Sequence, residues 1–280
     1  MKRREFIQSA ILGGTAFLTI DPLTLMASPP KANDLVSLGN TGIKASRLAI
    51  GTGSSGWGGS SNQTRDLGIK GLGDLLEAGY DAGIRFWDSA DQYGTHPHLK
   101  EGLKRVSREN VVILTKTHAS TADEMKKDLD RFRKEIGTDY IDVMLLHCLI
   151  QKNWSETKKG AMEVLSQARE DGVIRAHGVS CHSMDALKEA ASSDWVQIDL
   201  ARINPHGARM DGPVPEVEAV LKDMKSKGKS VMGMKILGDG NLVNKMDECI
   251  QFALTRDYMD SFTIGFENID QLKEIIKKIG

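Results

Sequence analysis

Two hydrophobic periods alternate along most of the chain. Short, nearly continuous apolar runs read as strands, and each precedes a stretch whose apolar residues recur every three or four positions, as on one face of a helix. The first run is Leu48-Ala49-Ile50, followed by a helical pattern from Thr64 to Ala82. Strand patterns recur at 84–90, 110–117, 140–148, 174–183, 195–205, 230–240 and 259–266. Helical patterns follow them at 98–106, 121–137, 156–172, 183–193, 215–228, 244–257 and 268–279. The 121–137 segment opens on a Thr cap and is strongly amphipathic. Counted from Leu48 there are eight strands, each followed by a helix. Strands that are apolar throughout are buried on both faces. Eight such units in 280 residues predict an α/β fold, a closed (β/α)8 TIM barrel rather than an open doubly wound sheet. Ahead of the barrel, Leu35-Val36 and Ile43 flank Asn40-Thr41-Gly42, a turn that predicts an N-terminal β-hairpin. Connections are short, and no domain boundary shows between Asp34 and Gly280.

Residues 1–27 read differently from residues 28–280, which carry the barrel pattern. They have a basic start, an apolar run from Ala10 to Ile20 and small residues near Ala27, the layout of an export signal. Arg3-Arg4 followed by Glu5, Phe6, Ile7 and Gln8 resembles the twin-arginine (Tat) type, with Lys2 and Gln8 departing from its commonest residues. The resemblance implies export to the periplasm through the Tat machinery, a route for already folded proteins. The apolar run is too short for a comfortable membrane span, so no stable anchor is expected.

A net charge of -1 leaves no electrostatic footprint for nucleic acid or an anionic membrane. Cys148, Cys181 and Cys249 form no CxxC pattern. They read as free thiols in apolar surroundings, with no metal site expected.

In a barrel of this kind the chemistry sits at the carboxyl ends of the strands. The second strand delivers Asp88 and, in its loop, Tyr93. The third ends in Lys116 and the fourth in His147. Each has a plainer reading alone: a capping carboxylate, a packed phenol, a solvent-facing ammonium, a satisfied core imidazole. Together they put an acid, a phenol, an ammonium and an imidazole at one end of one barrel.

This set resembles the aldo-keto reductases over the whole barrel. VSLGNTGIKASRLAIGTG is similar to that family's opening hairpin and first strand, and GIRFWDSADQYG to its Asp-to-Tyr segment. ILTK, LLHC and GVIRAHGVS are similar to its third, fourth and fifth strands. The resemblance implies that Asp88, Tyr93, Lys116 and His147 are catalytic and that NADP(H) or NAD(H) lies across the barrel top. The physical expectation beside it is that Lys116, balanced by Asp88, lowers the pKa of Tyr93 so that the phenol can protonate a carbonyl oxygen. A neutral His147 would hydrogen-bond the same oxygen.

By position, the resemblance implies cofactor contacts from Thr52, Ser180, Cys181, Met234, Lys235, Gly238, Gly265, Phe266, Gln271 and Glu274. Cys181 stands where the family has Asn, Met234 where it has an aromatic ring, and Lys235 where it has a small hydroxyl residue. Gln271 replaces the arginine that holds a 2′-phosphate, and Glu267 adds a negative charge nearby. A carboxylate repels a 2′-phosphate and accepts from a 2′-hydroxyl, which points toward NAD(H). The expected substrate is a small carbonyl compound or sugar. Two other readings stay open: a metal-dependent barrel hydrolase using His118, His147, His182 and His206, and a non-catalytic or cofactor-retaining binding protein on the same scaffold.

Overall fold

The computed structural model describes residues 28–280, so the twin-arginine segment lies outside the described residues. The chain opens with a two-stranded antiparallel hairpin, β1 (Leu35–Ser37) and β2 (Lys44–Ser46), with Leu35 opposite Ser46. Gly42 carries the turn at φ 75°, a conformation that strains side chains other than glycine. Eight parallel strands then close a barrel: β3 (Leu48–Gly51), β4 (Phe86–Asp88), β5 (Val112–Thr117), β6 (Ile141–Leu149), β7 (Ile174–Cys181), β8 (Ile198–Arg202), β9 (Ser230–Met234) and β10 (Ser261–Gly265). β10 returns to β3 in register, Phe262 against Leu48, so the barrel has no open strand edge.

Helices α1 (Gly68–Asp81), α2 (His96–Gly102), α3 (Ala122–Ile136), α4 (Trp154–Thr157), α5 (Lys159–Glu170), α6 (Met184–Ser192), α7 (Val214–Ser226), α8 (Met246–Thr255) and α9 (Ile269–Ile279) connect and cover the strands. Helix α3 shows why these segments are helical. Thr121 and Glu124 form a reciprocal capping box, Gly137 ends the helix in a left-handed conformation, and Met125, Leu129, Phe132 and Ile136 form one buried stripe.

The hydrophobic core has two shells. One lies between strands and helices. The other fills the barrel and includes Phe86, Leu114, Leu145, Ile198 and Met232, together with Leu38, Ile43 and Ala45 from the hairpin. The hairpin plugs the amino-terminal end: the Asn40 N–H donates to the Gly228 carbonyl at 3.0 Å. The carboxyl end is left for chemistry. The fold class and hairpin expected from the sequence are both present.

Candidate active site

Strand side chains alternate with period two, so the inward positions of each strand can be followed from plug to mouth. On β5 Val112 and Leu114 belong to the interior shell and Lys116 comes next; on β6 Val143 and Leu145 are followed by His147. By the same count β4 runs from Phe86 to Asp88, β7 from Ala176 to Ser180, and β8 from Leu200 to Arg202. Each ladder is apolar low in the barrel and polar at the mouth. The polar ring is a product of parity, and Asp88, Lys116 and His147 converge because they share it.

Lys116 is fully buried. Its ammonium forms an ion pair with Asp88 and donates to the Ser89 carbonyl at 2.7 Å. Burial pushes the Lys116 pKa down, and the Asp88 carboxylate opposes that shift.

Tyr93 ends a single 3₁₀ turn, Asp91–Tyr93, closed by Gly94 at φ 66°. Its ring lies edge-on to His147, with centroids 5.7 Å apart, and the Lys116 Nζ sits 4.8 Å from the ring centroid. Gly53 and Gly56 form the other wall. A Cβ on Gly53 would stand 2.2 Å from Tyr93 Cε2, and one on Gly56 2.4 Å from Cδ1, both inside any real contact distance. Among the described residues nothing hydrogen-bonds the Tyr93 hydroxyl, and the residue lines a cavity at the barrel mouth.

The electrostatics of this phenol differ from the expectation. Burial, reinforced by the Asp88 charge, pushes the Tyr93 pKa well above its ordinary value. The Lys116 charge is compensated by Asp88 and lies over the ring face. Tyr93 is held as the neutral acid.

His147 is buried and its pKa is held well below the ordinary value by burial, with Lys116, His118 and His182 adding repulsion. His118 stacks on it at 4.9 Å, and His182 meets it edge-on at 6.3 Å. Burial brings the His182 pKa down to about 4 and lowers that of His118. All three imidazoles are neutral at pH 7. His206 stands apart and pairs with Glu248 at 3.0 Å.

A cavity of about 420 Å³ runs from Asp88 and Tyr93 past Met234, Lys235, Gly265 and Phe266 to Gln271 and Glu274 on α9. The other four residues expected at the cofactor do not line it. Thr52 and Cys181 each follow an inward residue, so period two turns them outward. Thr52 Oγ1 donates to the Asp88 carbonyl and pairs with Thr95 Oγ1, both at 2.9 Å, which fixes the end of β4. Cys181 is buried in the helix-facing shell beside Asp199. Gly238 is buried in a 3₁₀ turn at φ 58°. Ser180 faces inward but is fully buried, and its Oγ has no partner.

The cavity fits a dinucleotide. It runs from the strand ends to α9, and one buried hydroxyl in its wall, Thr263, lacks a hydrogen-bond partner that a carboxamide or ribose would supply. Gly265 keeps the wall open, because a Cβ there would meet Ser54 Oγ at 2.2 Å. Lys235 is not a free cation for a pyrophosphate: it pairs with Asp239 at 2.7 Å. Around α9, Asn62 Nδ2 donates to Glu267 at 2.6 Å and the Glu267 N–H donates to Gln271 Oε1 at 2.9 Å.

The Aldo/keto reductase family pattern matches residues 47–278, nearly the whole barrel. The chain belongs to the aldo/keto reductase family. Among curated relatives in the family, it is 28% identical to the aldo-keto reductase YhdN of Bacillus subtilis, over 59% of this chain and 53% of that one. It is 25% identical to the NADH-specific methylglyoxal reductase of Escherichia coli, over 55% of this chain and 54% of that one. The chain thus spans about half the length of each. The holo form of an aldo-keto reductase from Bacillus halodurans superposes with a TM-score of 0.72 at 17% identity, over 88% of this chain and 90% of that one, which shows the shared fold.

The glycine seat of Tyr93 was missed in the sequence. Its signal was available: GTGSSG places two glycines three residues apart after the first strand.

Proposed function

We propose that this aldo/keto reductase is a nicotinamide-dependent oxidoreductase that interconverts a small carbonyl compound and its alcohol. The observation that carries the reading is the convergence of Asp88, Lys116, Tyr93 and His147 at one end of a cavity, with the Tyr93 hydroxyl left unpartnered. Tyr93, held in its neutral form, donates its proton to the substrate oxygen. His147, an uncharged imidazole, hydrogen-bonds the same oxygen and orients it. Asp88 and Lys116 form a buried ion pair that fixes the floor beneath the phenol. The nicotinamide, when bound, supplies or accepts hydride at the carbonyl carbon.

NAD(H) is the preferred cofactor in this reading. Glu267 and Glu274 lie at the far end of the cavity, and Gln271 spends its amide oxygen on the Glu267 backbone. Two carboxylates beside a 2′-phosphate repel it, whereas a 2′-hydroxyl can donate to one. The NADH-specific Escherichia coli relative is in keeping with this preference. Equilibrium titration with NADH and NADPH tests it: NADH binds at least about tenfold more tightly, a gap of about 1.4 kcal/mol. Failure of both dinucleotides to bind would remove the reading.

The twin-arginine resemblance of residues 1–27 adds a second element to the proposal: export to the periplasm in folded form. The dinucleotide is then loaded before export and retained. Mass spectrometry of native protein recovered from the periplasm should find it bound, and complete loss on simple dialysis would refute retention.

A further inference from the structure

Beside the phenol lies a group of side chains that proton donation does not use. His118, His147 and Cys148 each bring a ligand atom within 4.8 Å of the others. His182 stands at the edge of this group, with its Nε2 3.7 Å from Cys148 Sγ. In a tetrahedral zinc site with about 2.3 Å sulfur and 2.0 Å nitrogen bonds, such a pair of ligands stands about 3.5 Å apart.

Cys148 reaches this group only because the backbone departs from strand geometry. His147 faces the barrel interior, so Cys148 should face the helices. Instead the β6–β7 register breaks between Leu146 and Leu149, and Cys148 adopts φ 55°. A non-glycine residue in the left-handed region is strained, and such strain collects at functional positions. The bulge brings two consecutive side chains to one place. His118 is also arranged for ligation. Its Nε2 pairs with Gln92 Oε1 at 2.8 Å, a contact that orients the ring. His147 Nδ1 is buried with no partner.

We propose that His118, His147, Cys148 and His182 form a binding site for a borderline-soft divalent cation such as Zn²⁺, and that its occupancy reversibly blocks the carbonyl site. Imidazole and thiolate are the ligands such a cation selects over Mg²⁺ or Ca²⁺. Cys148 binds as the thiolate, so its proton passes to solvent as the sulfur–metal bond forms. Because His147 is shared, the metal and a carbonyl substrate exclude one another. The blocking role rests on the proposed reductase function; the metal site itself does not.

Full-chain protein dialysed against ZnCl₂ and then analysed for metal should hold one ion per chain. The Co²⁺ form should show a thiolate charge-transfer band in the near ultraviolet. Cys148→Ser should abolish the band and weaken zinc binding about tenfold or more, and His182→Ala should weaken it similarly. His118→Ala, at an exposed residue, repeats the test without touching the core. Absence of stoichiometric binding, or wild-type affinity in all three variants, would overturn the site. Carbonyl reduction should fall in step with zinc occupancy and return with EDTA; full activity at full occupancy would overturn the blocking role. A chain with no reductase activity at all would still give the cobalt spectrum, so the two proposals fail separately.

Discussion

The Lys116 ammonium lies over the face of the Tyr93 ring, 4.8 Å from its centroid, while its charge is compensated by Asp88. Burial, reinforced by the Asp88 charge, holds the phenol beside this ion pair as a neutral acid.

A pH dependence follows from this. The folded-state pKa of Tyr93 is raised, so the proton stays on as pH rises through the ordinary phenol value, about 10. The single-turnover rate of carbonyl reduction should therefore stay level on the alkaline side until the protein itself unfolds. A fall in that rate centred below about pH 9 would place the phenol on the other side of its normal value.

Gly53 is predicted to matter through Tyr93. Gly53→Ala puts a methyl 2.2 Å from the ring, so the ring must move. A displacement of about 1 Å costs on the order of a hundredfold in turnover, and the overpacking costs about 1–3 kcal/mol of stability. Steady-state kinetics and urea unfolding check both. Unchanged turnover would show that the glycine seat does not position the phenol.

Cofactor choice should respond to a single residue. Gln271→Arg supplies a cation beside Glu267 and Glu274, so NADPH affinity should rise about tenfold while NADH affinity changes little. Fluorescence titration of both dinucleotides measures it; no gain for NADPH would move the 2′-position away from α9.

Asp199 predicts a stability effect away from the site. Burial, with the Asp211 charge adding and the neighbouring Cys181 thiol opposing, raises its pKa to about 8. The folded-state pKa exceeds the unfolded one, so the folded state binds the extra proton between about pH 4 and the folded value. Stability is full below about pH 4 and falls as pH rises toward the folded value, by up to about 1.4 kcal/mol per pH unit. Asp199→Asn removes that slope. Urea midpoints across this range check it, and parallel wild-type and variant curves would contradict it.

The barrel was legible because strands buried on both faces and amphipathic helices leave strong period signals, as at 110–117 and 121–137. Asp88, Lys116 and His147 were legible because each continues an inward ladder. Thr52 and Cys181 misled for the same reason in reverse: one step along a strand changes the face, and position in a motif does not reveal parity. Cys148 was illegible because a bulge breaks the alternation that a sequence reading must assume. The charge state of Tyr93 depended on how deeply the ring is buried and how near Asp88 lies, three-dimensional facts with no linear signature.

The most direct test of the central claim, that Tyr93 protonates the substrate oxygen, is a single-turnover comparison of wild-type protein and Tyr93→Phe. Both are loaded with NADH and mixed with a reactive α-dicarbonyl, and the loss of reduced-nicotinamide absorbance is followed. The account predicts equal NADH binding and a rate reduced by about 10²–10⁴ in the variant. Equal rates in the two proteins would contradict it.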